Sequence, residues 1–397
     1  MGKELLDTLM ERLLEIENGE KFKQCLQCGV CSASCPYGMA TKFTPRKMIL
    51  ALRAEMTDVK ANILEEVLES GAQWLCTSCY ACSSRCPSQI PITDAIIPAA
   101  RELSLLEGNP PEELATALMH TARYGNPFKE SPKKRGMWVK DLDFEVKLLK
   151  DGPADVLFIP GCFGSYHRRC QEVSKAMAKI LKRLEVDFAI LGKDGRCIGD
   201  NNRLVGEFGL FEELVKKNIK AMEINDFNRI VTIDAHAFHS LKNEYIKFGF
   251  SRPVMHHTEF LAHNIDILAD ISKELDYTVT YHDPCYVGRR NGIYEEPRKV
   301  IKSIPGVELV EMRRIKENAL CCGGGGGGVW LDSYIKEFMK ERPAEDRVRE
   351  AVGTGADILV SACILDVPMF EDALKVTGLD DRIIVKDISE LVLEAIE

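Results

Sequence analysis

Residues 155–162 read DVLFIPGC, and residues 278–285 read TVTYHDPC. Each ends at a cysteine just after a predicted strand: the first holds the apolar run Val156–Ile159, the pattern of a strand buried on both faces, and the second holds Val279-Thr280-Tyr281 at the matching place. The correspondence continues downstream: GRCIGD at 195–200 lies over ALCCGG at 319–324, and VTIDAHAF at 231–238 lies over VSACILD at 360–366. Cys162 and Cys285, Cys197 and Cys321, and Asp234 and Cys363 are separated by 123, 124 and 129 residues, so the register nearly holds and the region reads as a duplication. Apolar runs at 156–159, 230–233, 279–281, near 307–311 and at 358–360 alternate with amphipathic stretches at 168–186, 203–224, near 297–303 and from about 330. Alternation of this kind predicts an α/β fold with parallel, doubly wound sheets. The marked cysteines then fall at carboxyl ends of strands, where open α/β sheets place their ligands.

The second copy concentrates sulfur. Cys285, Cys321, Cys322 and Cys363 leave three different strand ends and can converge on one point. Among them stands LCCGGGGGGVW at 320–330, two adjacent cysteines before six glycines. Glycine costs about 1 kcal/mol relative to alanine in regular structure, so the run serves another purpose. A bare backbone can approach a bulky inorganic cluster closely, and Gly323, Gly324 and Gly325 would offer it N–H groups. Adjacent thiolates fit poorly on two corners of one ordinary cube and suit an unusual cluster. A structural zinc site and a G-x-G-x-x-G dinucleotide loop are competing readings; the latter lacks a clear preceding strand and a placed acidic partner. The first copy keeps Cys162 and Cys197 but has Ile198 opposite Cys322, with Asp234 and Ala237 at the strand end. Two scattered cysteines do not hold a cluster, so this copy reads as a scaffold that has lost its metal. His236 and His239 are given no metal role, and Cys170 reads as core.

Upstream, CLQCGVCSASCP at 25–36 and CTSCYACSSRCP at 76–87 are both C-x2-C-x2-C-x3-C-P, the bacterial ferredoxin run. Three cysteines on one tight turn reach three corners of a cube, and the fourth ligates the other cluster. This assigns Cys25, Cys28, Cys31 and Cys86 to one 4Fe–4S cubane, and Cys76, Cys79, Cys82 and Cys35 to a second. Paired zinc knuckles would leave two identical four-cysteine runs unexplained. Between the runs, Thr44-Pro45 predicts a helix start, with Met48, Ile49, Leu52 and Met56 at helical spacing. Thr93 reads as the cap of a helix from Asp94. Two neighbouring clusters form a wire, which needs something at each end.

These features divide the chain into an α-helical, two-cluster ferredoxin-like domain at 1–105, a linker at 106–153, the copy without a cluster at 154–276 and the copy with one at 277–397. The linker carries Pro- and Gly-rich turns around a helix at 112–123, and its Lys133-Lys134-Arg135 cluster reads as a solvated turn. The 397 residues are 45% hydrophobic, enough for two or three cores, and their net charge of −9 gives no global support to nucleic-acid binding. No apolar run approaches the roughly 18 residues of a membrane span. Met1-Gly2-Lys3-Glu4-Leu5 lacks the apolar core of a signal peptide. The expected location is cytoplasmic, or peripheral to a membrane through a partner. Fifteen clustered cysteines then point to metal or redox chemistry.

The combination resembles the heterodisulfide reductase family, in the fused form that joins a ferredoxin-like C subunit to a catalytic B subunit (the D-type subunit). The resemblance covers nearly the whole chain. It rests on CLQCGVCSASCP, TPRK and WLCTSCYACSSRCPSQIPITD, then on YHDPCYVGR, ENALCCGGGGGGVW and LVSACILD. It implies two repeated, Rossmann-like CCG domains, each marked by Cys, Cys-Cys-Gly and Cys-x-x-Cys. In the family the five cysteines of an intact copy hold a noncubane 4Fe–4S cluster that cleaves a disulfide. Here Cys285, Cys321, Cys322 and Cys363 match, while Asp366 stands at the fifth position. Asp366 reads as an oxygen ligand, a proton donor, or a bystander beside an ordinary four-cysteine cubane. The first copy departs at Ile198, Asp234 and Ala237, so a single C-terminal 4Fe–4S cluster, noncubane or modified, is implied.

The implied activity is reduction of a small disulfide of the CoM-S-S-CoB type, with Cys321, Cys322, His282 and Asp366 as catalytic residues. Cleaving a disulfide takes two electrons, whereas each cluster passes one. Cluster potentials of about −700 to +450 mV span those of biological disulfides. His282, Asp283 and Asp366 are the candidate proton donors. Arg289 and Arg290 read as contacts to an anionic substrate or as a solvated face. The alternative is an electron-transfer subunit of a quinone- or flavin-linked complex without disulfide chemistry. No flavin or haem motif is visible, so the electron partner is expected to be a flavoprotein or a membrane b-type cytochrome.

Overall fold

The computed structural model describes residues 3–42, 44–56 and 63–397, so Met1 and Gly2, on which the reading of the chain start partly rests, lie outside the described residues. Two compact units are present. One comprises Met1–Ala115, Asn201–Leu210 and Gly323–Pro343, and the other Thr116–Asp200, Phe211–Cys322 and Ala344–Glu397.

The first unit is helical. Helices Lys3–Glu15, Pro45–Glu55, Ile63–Glu69 and Ile97–Leu106 enclose a core that includes Leu9, Leu13, Met48, Ile49, Leu52 and Ile96. Thr44 precedes Pro45 as the spacing predicts, although its hydroxyl is taken by Ser32 Oγ at 2.7 Å rather than by a helix N–H. The expected start at Asp94 is corrected. The chain enters a π-helical turn, Ile92–Ile96, after Pro91, and the α-helix follows at Ile97. Thr93 is no cap, because its Oγ1 is engaged by Asp94 Oδ2 and Ser83 Oγ.

The second unit holds two wholly parallel sheets. The first contains β1 (Lys147–Leu148), β2 (Ala154–Phe158), β3 (Phe188–Ile190), β4 (Phe227–Thr232) and β5 (Val254–His256), in the order β1-β3-β2-β4-β5. The second contains β6 (Tyr277–Tyr281), β7 (Val307–Leu309), β8 (Ile358–Ser361) and β9 (Ile384–Asp387), in the order β7-β6-β8-β9. Without β1 the two orders are the same, β3-β2-β4-β5 against β7-β6-β8-β9, so the duplication read from the strand-end cysteines is a duplication of topology. Val156, Leu157, Ile230, Val231, Val279, Ile358 and Leu359 are buried, as strands covered by helices on both faces require. The stretch at 203–224 is not one helix. It breaks into Asp200–Leu204 and Phe208–Met222, with Gly206 at φ 89° between them. The copies touch directly: Ile364 N donates to Ile233 O at 3.2 Å, and Arg169 pairs with Glu371 and Glu390 at 2.6 Å each.

Candidate metal centres

In the helical unit the two cysteine runs fold alike. Gln27 and Ser78, each two residues after its first cysteine, have φ 55° and 51°, and Gly29 and Tyr80 have φ 83° and 66°. Left-handed backbone is costly at Gln, Ser and Tyr, and persists only where surroundings demand it. Its effect is to turn amides inward. Gln27 N and Ser78 N each lie 3.4 Å from the sulfur of the cysteine two residues before, Cys25 and Cys76. Alternating left-handed residues make such anion-binding nests.

The pockets inside these loops carry the fourth cysteine of the other run. One, of about 330 Å³, is lined by Cys25, Cys28, Cys31 and Cys86. The other, of about 600 Å³, is lined by Cys35, Cys76, Cys79 and Cys82. Burial pushes the Cys31 thiol up, with Cys25 and Cys86 acting on it, and raises Cys35, with Cys79 and Cys76 acting on it. Among the described residues no three His, Cys, Asp or Glu side chains gather closely enough for a single metal ion. Each pocket offers four soft donors around a space rather than on a point, which fits a multi-iron cluster.

Arg101 organises the second pocket, and sequence reasoning missed it. Fully buried, its Nε donates to Gln73 O at 2.9 Å, Nη2 to Trp74 O and Cys76 O at 3.0 and 2.7 Å, and Nη1 to Leu204 O and Gly326 O at 3.0 and 2.9 Å. It ties the chain leaving Cys76 to the glycine run. Gly326, at φ 56°, lies so close that a Cβ would stand 2.5 Å from Cys76 O. Within the run, Gly328 N donates to Gly325 O and Val329 N to Gly324 O, a compact turn. The available signal was an arginine in line with Ile97, Ala100 and Ser104 on one helix face.

In the second unit, β6 and β8 are neighbours, and His282 N donates to Val360 O at 2.9 Å, so both strands end at one edge. Cys285, Cys321, Cys322, Cys363, His282 and Asp366 are all buried there. Cys322 hydrogen-bonds Cys321 and Asp366 and feels Cys285, which together with burial raises its thiol far above the usual range. Cys363 is raised by burial, with Asp366 and Asp234 acting on it and Ala235 N–H donating to its sulfur. Thiols held protonated in this way become ligands when an inorganic cation displaces their protons.

Asp366 accepts from Ser361 Oγ at 2.7 Å, and its carboxyl is pushed up to about 6, chiefly by burial. His282 Nε2 stands 3.5 Å from Asp366 Oδ2, and Arg347 Nε donates to His282 Nδ1 at 3.0 Å. Burial and the Arg347 charge hold His282 well below its ordinary value, hence neutral. No motif singles out Arg347 in the sequence, although Ala344, Val348 and Ala351 mark the buried helix face it shares. Asp283, by contrast, is locked by Arg298 at 2.7 and 2.9 Å and by Lys316 N at 2.7 Å. Arg289 donates to Ala319 O at 2.6 Å, and Arg290 covers the Tyr286 ring at 4.6 Å.

The first copy brings Cys162, Cys197 and Asp234 to the corresponding strand ends. Asp234 Oδ1 caps the next helix by accepting from His236 N and Ala237 N, and its Oδ2 fills the space beside Gly161. His236 pairs with Asp200 at 2.8 Å and stacks on Tyr286 at 3.8 Å, while Cys170 is buried core. Lys133 and Lys134 are exposed on a turn, as the sequence suggests, but the Arg135 side chain that ends it is not solvated. It is 7% exposed, with Nη2 3.2 Å and Nη1 3.6 Å from Cys162 Sγ.

Comparison with known proteins agrees with this geometry. Residues 156–242 and 279–365 match the cysteine-rich domain CCG, and residues 21–90 match the 4Fe-4S dicluster domain. The chain is 32% identical to the D subunit of the dihydromethanophenazine:CoB–CoM heterodisulfide reductase of Methanosarcina barkeri, over 94% of this chain and 93% of that one. The chain belongs to the heterodisulfide reductase family, among its D-type subunits. Similarity within and around this heterodisulfide reductase family extends to a probable iron-sulfur-binding oxidoreductase, FadF, of Bacillus subtilis (32% identity) and to the EtfAB:quinone oxidoreductase of Syntrophomonas wolfei (28%). The chain spans only 59% and 60% of the length of those two relatives, which cover 94% and 96% of it. A further relative, 33% identical, from Chromohalobacter salexigens, is a probable membrane-anchored ferredoxin. Among the described residues no helix is long and apolar enough to cross a membrane. The chain is thus related to iron–sulfur oxidoreductases, the heterodisulfide reductase D subunit and the EtfAB:quinone oxidoreductase among them.

Proposed function

We propose that this chain reduces a small disulfide, of the CoB–CoM heterodisulfide class, with electrons received from a partner protein. Cys25, Cys28, Cys31 and Cys86 would hold one 4Fe–4S cubane, and Cys35, Cys76, Cys79 and Cys82 the second. Cys285, Cys321, Cys322 and Cys363 would hold a third cluster, noncubane or modified. Bound clusters supply one-electron transfer at tunable potential. The observation that carries the reading is the meeting of Cys285, Cys321 and Cys322 with Asp366 and His282 in one buried site. Reduction of RSSR′ consumes two electrons and two protons and gives RSH and R′SH. Asp366 stands beside Cys322 and takes a proton readily, and His282 Nε2–H backs it. These two groups would deliver protons to the departing thiolates while burial excludes bulk water.

The corresponding division is 1–105 for the ferredoxin-like domain, 106–153 for the connection, 154–276 for the copy without a cluster and 277–397 for the reacting copy. A flavoprotein or a membrane b-type cytochrome is the proposed electron partner. A cytoplasmic chain, peripheral to the membrane through that partner, goes with it.

Asp366 at the fifth ligand position, together with the name of the Syntrophomonas relative, favours a second reading: electron transfer in a quinone- or flavin-linked complex without disulfide chemistry. One assay separates the two. Anaerobically purified chain is mixed with reduced viologen and then with CoM-S-S-CoB. Disulfide-dependent dye oxidation, lost in Cys321→Ala, supports the reductase. Dye oxidation by quinone or flavoprotein alone supports the carrier.

A further inference from the structure

The first CCG copy holds an arrangement that the lost cluster does not explain. Cys162 leaves the carboxyl end of β2 and Cys197 follows the neighbouring β3, and the two thiols are close enough that each shifts the other's acidity. Onto Cys162 Sγ the buried Arg135 directs both ends of its guanidinium, at 3.2 and 3.6 Å. Arg135 also lies 5.6 Å from the Tyr166 ring, and Asp234 is the nearby carboxylate. A guanidinium is always charged, and at 7% exposure it needs an anion. The sulfur it points at is the group able to become one. On the other side of Arg135 a small pocket opens, lined by Arg135, Gly161, Gly195, Arg196 and Ile198 among others, so the chain neighbours of both cysteines border it.

We propose that Cys162 and Cys197 are a redox-active dithiol, with Cys162 the attacking thiolate, Arg135 its positioning residue and Cys197 the resolving thiol. The co-reactant is a low-molecular-weight disulfide, RSSR. The Cys162 thiolate attacks one sulfur of RSSR, forming Cys162–S–SR and releasing RS⁻. Cys197 then loses its proton to RS⁻ and attacks the Cys162 sulfur. The Cys162–Cys197 bond forms and the second RS⁻ departs. One S–S bond is exchanged for another; the protein pair gives up two electrons, and RSSR takes them. Cationic neighbours favour the thiolate that such exchange requires. The site stands independently of whether the C-terminal copy reduces a disulfide.

The test uses the full chain, purified anaerobically with its iron counted. It is equilibrated with graded ratios of reduced to oxidised glutathione, quenched in acid, alkylated with N-ethylmaleimide and digested with trypsin. Cys162 and Cys197 fall in separate peptides, 151–168 and 197–203, each with a single cysteine. The proposal predicts that these two peptides become disulfide-linked as the ratio turns oxidising. Cys197→Ala should instead trap glutathione on Cys162, and Arg135→Met should slow the first step by about tenfold. It is overturned if both peptides stay fully alkylated at every ratio and Cys197→Ala carries no glutathione. An unchanged rate in Arg135→Met removes the arginine from the proposed site. If that variant loses iron, Cys197→Ala decides alone.

Discussion

Arg347 Nε donates to His282 Nδ1 at 3.0 Å, and both side chains are buried. The acceptor role of Nδ1 puts the ring hydrogen of neutral His282 on Nε2, facing Asp366. Arg347 also donates to Arg314 O and Glu350 Oε2, at 2.8 and 3.0 Å. Arg347→Met removes all three interactions at once. We expect a loss of about 3 kcal/mol in stability, the scale of breaking a buried, paired cation. Urea titration of variant and parent should show it as a lowered midpoint, and an unchanged midpoint would mean the arginine orients nothing.

The His236–Asp200 pair sets a pH dependence. Burial alone would lower the His236 pKa, but the hydrogen bond and charge of Asp200 outweigh it and hold the ring above its ordinary 6.5. A group whose pKa is raised on folding stabilises fully below the unfolded value and loses that contribution as pH climbs through the folded one. The chain should therefore lose stability as pH rises from about 6.5, and His236→Gln should flatten that slope. Thermal midpoints across this range, parallel in the two proteins, would refute it.

Gly326 and Gly209 form a contrasting pair. At Gly326 a Cβ would meet Cys76 O at 2.5 Å and Ser78 Oγ at 2.7 Å, with φ at 56°, whereas at Gly209 nothing lies within 4 Å. Gly326→Ala should distort the Cys76 loop and lower bound iron by about four per chain. Gly209→Ala, inside the helix Phe208–Met222, should leave iron unchanged and melting unchanged or slightly raised. Equal iron in the two variants would contradict the close approach.

The crossed fourth ligand makes a non-additivity prediction. Cys28 and Cys86 line one pocket, Cys79 the other. Cys28→Ser and Cys86→Ser should each remove about four irons, and the double variant no more than either. Cys28→Ser with Cys79→Ser should remove about twice as many. If Cys86→Ser instead adds to Cys28→Ser, each run ligates its own cluster.

Much of the fold is legible in the sequence because its signals are local. Cysteine spacing carries the ferredoxin loops, and strand-end cysteines carry the duplication. What escapes is non-local or short. Arg135 reads as solvated since its partner, Cys162, lies 27 residues away, and Arg101 reaches Gly326, 225 residues on. Strands β3, β5 and β9 have only three or four residues and no strong periodicity. Asp94 fails as a helix start because Pro91 and the π-helical turn take up the position that Thr93 would have capped.

The proposed chemistry depends on a third iron–sulfur centre held by Cys285, Cys321, Cys322 and Cys363. Iron and acid-labile sulfide counts on anaerobically purified chain, in the parent and in Cys322→Ala, decide whether it exists. About twelve irons are expected in the parent and about eight in the variant, with the two ferredoxin-type signals intact. About eight irons in both would leave the C-terminal cysteines without a cluster and the disulfide chemistry without its centre.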